Sequence, residues 1–224
     1  MKYHIDTIPV WDAYKEDSEC PLCDLRAKNE MAYVENFLGA SVMEPDVRVE
    51  VNAKGFCGDH FGMMITQKNR LGLALMTHTH LQETIKNLPM ASGGKRGLFA
   101  KKPTPQRQEA TCILCERLET TMGRYLYTVL HLWKTDKAFR EAFEGSKGLC
   151  LPHYHQMAAM AGDHLGGQTA AFLEMLEKLE RENLERIEKE LEWFTLKFDY
   201  RNADAPWGNS RDSLERAINK LRGT

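Results

Sequence analysis

Along most of the chain, apolar residues recur every three or four positions, the signature of helices that bury one face. Residues 21–38 carry Leu22, Leu25, Met31, Val34, Phe37 and Leu38 in this spacing, with Gly39 as a stop. "TIPVWDAYKEDS" over 7–18 predicts a short helix with Thr7 at its cap and Pro9 in its first turn. "SVMEPDVRVEVNAKG" over 41–55 fits two descriptions: Val47, Val49 and Val51 alternate as in a strand, while Pro45 suits the opening of a short helix. From Cys57 to Leu88 the pattern predicts two consecutive helices or one bent helix.

Residues 89–109 break the periodicity with three prolines, three glycines and five Lys/Arg, and read as a linker or mobile loop. Helical spacing resumes over 111–133. "TDKAFREAFEGS" predicts a short helix capped by Thr135 or Asp136, and a further helix follows Cys150. Residues 165–198 form the longest predicted element, a coiled-coil-like helix with Leu and Ile among Glu and Lys. Its apolar stripe, including Leu176 and Leu184, needs a cover from the same chain, a second copy or another protein. An irregular "DYRNADAPWGNS" leads to a terminal helix capped by Ser210 or Asp212. With no convincing strand, the expected fold class is all-α.

Composition changes this picture little. The 224 residues suffice for a large domain or two small ones, and a formal net charge of −2 gives no field to attract nucleic acid or an anionic membrane. No apolar run is long enough to span a bilayer, and the N-terminal residues lack the pattern of a signal peptide. A cytoplasmic setting is the default expectation, and there closely spaced cysteines point to metal or redox chemistry rather than disulfides.

The cysteines carry the strongest chemical signal. "CPLC" at Cys20 and Cys23 is echoed by "CILC" at Cys112 and Cys115, and "KGFCGDH" with Cys57 and His60 is echoed by "KGLCLPH" with Cys150 and His153. The gap from Cys23 to Cys57 nearly equals that from Cys115 to Cys150, so the chain reads as a duplicated unit. Three Cys and one His form a standard tetrahedral zinc set. Each half supplies one such set in sequence order: Cys20, Cys23, Cys57 and His60, then Cys112, Cys115, Cys150 and His153. The expectation is two zinc ions per chain. Four protein ligands leave no open position for water, which favours a structural over a catalytic role. Iron, redox-active C-x-x-C pairs and plain buried thiols are the competing readings.

Other residues are weaker candidates. His78 and His80 point in different directions on one helix. His155 beside His153 lacks a counterpart in the first half, His131 and Trp133 suit helix packing, and the eleven methionines suit core filling. In the tail, Asp199, Tyr200, Arg201, Asp204 and Trp207 suit either an anion-binding loop or a turn that staples the last helix. No Ser/His/Asp triad, phosphate loop or dinucleotide fingerprint occurs.

The paired motifs together with the closing "KFDYRN…PWGNSRDSLERAINKL" resemble an uncharacterised family of bacterial proteins, found mainly in clostridia and related Firmicutes. The resemblance spans nearly the whole chain and implies no activity. The expected organisation is a zinc-binding helical repeat at 1–88, the linker 89–109, and a second repeat with the long helix and tail at 110–224. Three functions stand open: a non-enzymatic interaction or regulatory protein, with an unknown protein partner or self-association through the long helix; a small-ligand binder or enzyme with a pocket at "DYRNADAPWG"; or a thiol sensor that releases zinc on oxidation.

Overall fold

The computed structural model describes residues 5–88 and 111–223. They contain α1 (Thr7–Ala13), α2 (Pro21–Leu38), α3 (Pro45–Lys54), α4 (Gly58–Ile65), α5 (Arg70–Asn87), α6 (Ile113–Thr135), α7 (Lys137–Glu144), α8 (Leu151–Leu165), α9 (Thr169–Leu196) and α10 (Ser213–Arg222). Short 3-10 turns join some of these, and no strand occurs among the described residues, so the fold is all-α. The predicted linker at 89–109 lies outside the described residues.

The alternating valines belong to a helix. Pro45 opens α3, Asp46 sits in its first turn, Lys54 in its last, and Gly55 at φ 65° ends it. Val51 is buried and Val47 packs against the core, whereas Val49 faces out. Arg48 fastens this helix to α5, donating to the Leu75 carbonyl at 3.1 Å and to Thr79 Oγ1 at 3.0 Å. Of the expected caps, one is met and one is shifted by a residue. Asp136 caps α7 by accepting from Ala138 N and Phe139 N, and Asp6 rather than Thr7 precedes α1.

The chain folds as two compact units, and their limits are not those of the two sequence repeats. The first unit comprises Met1–Lys28 and Thr120–Thr224, the second Asn29–Glu119. The chain therefore passes between units inside α2 and again inside α6. The division 1–88 and 110–224 follows sequence order, whereas each unit draws residues from both repeats.

In the second unit α2, α3, α4, α5 and the start of α6 enclose Val34, Phe37, Val51, Phe56, Met64 and Met76. Phe56 meets both Phe37 and Phe61 edge-on at 5.4 Å. In the first unit α9 lies against α7, α8 and α10. Phe172, Leu176, Leu179 and Ile187 of α9 are buried there, whereas Leu184 is only partly buried and Leu196 is exposed. Trp133 packs edge-on to Phe172 at 4.9 Å, with the Arg140 guanidinium over its ring at 4.4 Å.

Helix α10 presents an inverted face. Ser213, Ala217 and Lys220 are buried, while Leu214, Ile218 and Leu221 are exposed. Lys220 reaches inward to donate to the Lys147 and Leu149 carbonyls and lies 3.6 Å from Glu180 of α9. Glu180 accepts from Leu149 N at 2.9 Å. Burial lowers the Lys220 pKa against the pull of Glu180, and burial raises that of Glu180 against the pull of Lys220. This buried pair pins the turn before Cys150. A Lys220→Ala variant leaves the buried Glu180 carboxyl without its cation, and should lose about 3–5 kcal/mol of unfolding free energy. Lys220→Met with Glu180→Gln should regain most of it, since Gln still accepts from Leu149 N. Denaturant unfolding with metal in excess measures both.

Candidate metal centres

Each repeated motif has a local physical reason. In "KGFC" and "KGLC" the glycine must adopt positive φ, 65° at Gly55 and 77° at Gly148, and also has no room for a side chain. A Cβ on Gly55 would meet His80 Nε2 at 2.5 Å, and one on Gly148 would meet Glu180 Oε2 at 2.8 Å. The following apolar residue, Phe56 or Leu149, is buried and anchors the turn. Cys57 and Cys150 then stand in extended conformation at the N-caps of α4 and α8. One helical turn later, His60 and His153 bring Nδ1 back beside their own cysteine, at 3.0 Å from Cys57 Sγ and 3.1 Å from Cys150 Sγ. The C-x-x-C motifs open helices in the same manner: the Cys20 carbonyl accepts from Cys23 N at 2.9 Å as α2 begins, and the Cys112 carbonyl from Glu116 N at 3.1 Å as α6 begins.

These elements assemble two four-residue cages, each inside one unit. The first unit holds Cys20, Cys23, Cys150 and His153, and the second holds Cys57, His60, Cys112 and Cys115. In each cage the four donor atoms all lie within 4.8 Å of one another. All eight expected residues take part, but the grouping by sequence order is overturned. Cys20 and Cys23 join the Cys-x-x-His of the second repeat, and Cys112 and Cys115 join that of the first. The reason is topological: α2 and α6 begin in one unit and end in the other. Backbone contacts hold the exchange in the second unit, where Ile113 N donates to the Gly55 carbonyl at 3.1 Å and Thr111 Oγ1 to the Lys54 carbonyl at 2.9 Å.

The spacings suit a tetrahedral ion. An ion ~2.3 Å from each sulfur and ~2.0 Å from nitrogen puts sulfurs ~3.8 Å apart and sulfur ~3.5 Å from nitrogen. Cys57 and Cys115 sulfurs are 3.8 Å apart, and those of Cys23 and Cys150 3.5 Å. His153 Nδ1 lies 3.4 Å from Cys20 Sγ and 3.5 Å from Cys23 Sγ. His60 Nδ1 lies 3.3 Å from Cys112 Sγ and 3.4 Å from Cys115 Sγ. All six cysteines are free thiols.

Two helix N-termini converge on each cage, and their partial positive charge favours thiolates there. Three sulfurs cannot all ionise together without a cation. Burial, with Cys150 and Cys23 adding to it, pushes Cys20 far above the usual thiol range. Burial and the neighbouring Cys112 raise Cys115 to about 12. Against the opposing effect of burial, backbone N–H groups at Cys115 and Cys57 bring Cys112 down to about 7. Burial also opposes charge on His153, yet Cys150 and Cys23 raise it to about 9. A divalent cation at the centre removes this conflict.

The surroundings differ. Every ligand of the first cage is buried, whereas Cys57 and Cys115 of the second are half-exposed. Gly223, at the end of α10, lies over the first cage, where a Cβ would come within 3.4 Å of Cys150 Sγ and 3.8 Å of Cys23 Sγ. In the second cage His60 Nε2 faces Glu30 Oε1 at 3.0 Å, a carboxylate that keeps Nδ1 free to act as ligand. Glu30, Lys220 and Gly223 carry no motif and were not legible as site residues.

The tail candidates form a turn. Asp199 accepts from Arg201 N at 2.9 Å and pairs with the Arg201 guanidinium, leaving Tyr200 exposed. Lys197 organises the segment by donating to the carbonyls of Asn202, Ala203 and Ala205 at 2.6–2.8 Å. Its ammonium also lies 5.3 Å from the Trp207 ring centroid. Trp207, with Lys189, Glu190, Trp193, Pro206 and Asn209, lines an open hollow of about 260 Å³, to which Asp199, Tyr200 and Arg201 do not contribute.

Residues 1–224 match a family described as a family of unknown function, DUF6062. No curated protein and no solved structure matches the chain.

Cobalt substitution tests the grouping. Cys23→Ser should remove one of two tetrahedral Co²⁺ absorption signals. Adding Cys150→Ser should remove no more, whereas adding Cys57→Ser should abolish both, and the sequence-order grouping predicts the reverse. Glu30→Gln should weaken metal binding about 10–100-fold at the second cage alone, read by competition with a chromogenic chelator.

Proposed function

The chain belongs to the DUF6062 family, and from that premise we propose a non-enzymatic protein whose two Cys3His cages hold structural zinc and present helical surfaces for interaction or regulation. The observation that supports this most is the closure of each cage by four protein donors, which leaves no coordination position for substrate or water. Thiolate and imidazole donors at tetrahedral spacing favour zinc over the hard cations calcium and magnesium. Bound zinc supplies charge neutralisation and crosslinks two helix starts per cage. The duplicated motifs fit a unit that once met a second copy of itself and was later joined to it, since neither repeat closes a cage alone. Six cysteines kept as free thiols suit a compartment that keeps thiols reduced. No helix of the described residues is long and apolar enough to cross a membrane.

A second reading, thiol sensing, draws support from the half-exposed Cys57 and Cys115. On it, the second cage is the one that oxidants reach.

Metal analysis of purified protein should find two zinc per chain, and chelation should lower the helical circular dichroism signal. A fully helical, metal-free protein would overturn the structural-zinc reading. Under graded chelator or peroxide, one equivalent of zinc should leave well before the other. That first loss should persist in a Gly223→Ala variant and coincide with alkylation of Cys57 and Cys115. Simultaneous loss of both equivalents would count against the sensing reading.

A further inference from the structure

Helix α5 carries an unusual face. Gly72, Leu73 and Met76 are its buried residues, held against α3 by the Arg48 bonds to Leu75 and Thr79 and by His80 Nδ1 against the Asn52 carbonyl at 2.9 Å. On the opposite side Leu71, Leu75, Leu81, Ile85 and Leu88 remain between 39% and 72% exposed. At ~100° per residue, the first four fall within a stripe ~120° wide that faces away from Leu73 and Met76. A row of this kind, interrupted only at His78, leaves an apolar helix face without cover among the described residues.

The spacing of the row says what covers it. Leu71 and Ile85 lie seven positions on either side of His78, and Leu75 and Leu81 lie three positions on either side. The stripe is thus its own counterpart when a second identical helix is laid antiparallel across it. That self-complementarity is what an isologous two-fold contact requires. A partner of other sequence places no such demand on the pattern.

We propose that α5 is the interface of a homodimer, with the two helices antiparallel and His78 on the two-fold axis. Leu75 of each copy packs on Leu81 of the other, and Leu71 on Ile85. Arg70 and Lys86, which the symmetry brings to the same end of the contact, are already turned to the Ile65 carbonyl and to Glu83. A single helix pair covers an area at the low end of specific interfaces, below ~1,200 Å², so the dimer is weak and forms in the micromolar range. This proposal is independent of which metal the cages hold.

Sedimentation equilibrium of the full-length, metal-loaded protein, from low micromolar to several hundred micromolar, tests it. The wild type should pass from the mass of one chain to that of two. Leu75→Glu and Leu81→Lys should each remain monomeric at every concentration. Both substitutions lie on exposed positions, so the circular dichroism spectrum and metal content should match wild type. An equimolar mixture of the two variants should recover a dimer, because the register places the new Glu of one beside the new Lys of the other and leaves a Leu75–Leu81 contact intact. His78→Leu should tighten the dimer at least about tenfold by filling the polar break in the stripe. A wild type that stays monomeric throughout overturns the proposal, as would follow if residues 89–109 or a different protein covered the face. A wild-type dimer that the Leu75→Glu substitution leaves intact overturns the interface. A mixture that fails to pair overturns the antiparallel register.

Discussion

Two clusters of three sulfurs, each set between the positive ends of two helices, impose the constraint around which this protein is arranged. Helix starts attract thiolates, yet three neighbouring thiolates repel one another, and burial makes that repulsion costlier. A central divalent cation satisfies all parties at once. The rest of each unit serves to bring the two helix starts to the right separation. In the second unit the Gly55 turn, with Phe56 buried beneath it, sets α4 against α6. In the first, the Gly148 turn is clamped by Lys220 and Glu180, and α10 closes over the sulfurs at Gly223.

The two cages share donors and local geometry but differ in cover. One is sealed by a terminal helix whose inward face is polar and small, which admits Lys220 to the carbonyls it serves. The other lies nearer solvent and gains a carboxylate on its histidine. Equal ligand sets thus sit in unequal electrostatic surroundings, so ions bound at the two cages would differ in affinity and exchange rate. The inward polarity of α10 also explains why its leucines and isoleucine point outward, against the usual rule for an amphipathic helix.

Much of this was legible in the residues. Helical spacing located most of the helices, and the eight donor residues followed from their motifs. The alternating valines of α3 could not be resolved by pattern alone, because a ten-residue helix with one buried face and a strand share such short runs. The grouping of donors was hidden for a different reason. Spacing states which residues share a turn, but both groupings offer identical chemistry, and only the passage of α2 and α6 between units selects one. Glu30 and Lys220 were silent because each acts through partners far away in sequence.

The exchange of donors has a consequence for synthesis on the ribosome. At ~5–20 residues per second, Cys57 and His60 emerge several seconds before Cys112 and Cys115, and Cys20 and Cys23 wait longer still for Cys150 and His153. The first complete set of three sulfurs and an imidazole to emerge is Cys20, Cys23, Cys57 and His60, the wrong one. A nascent chain that captures an ion early must therefore hand it over, thiolate by thiolate, before either native cage can close.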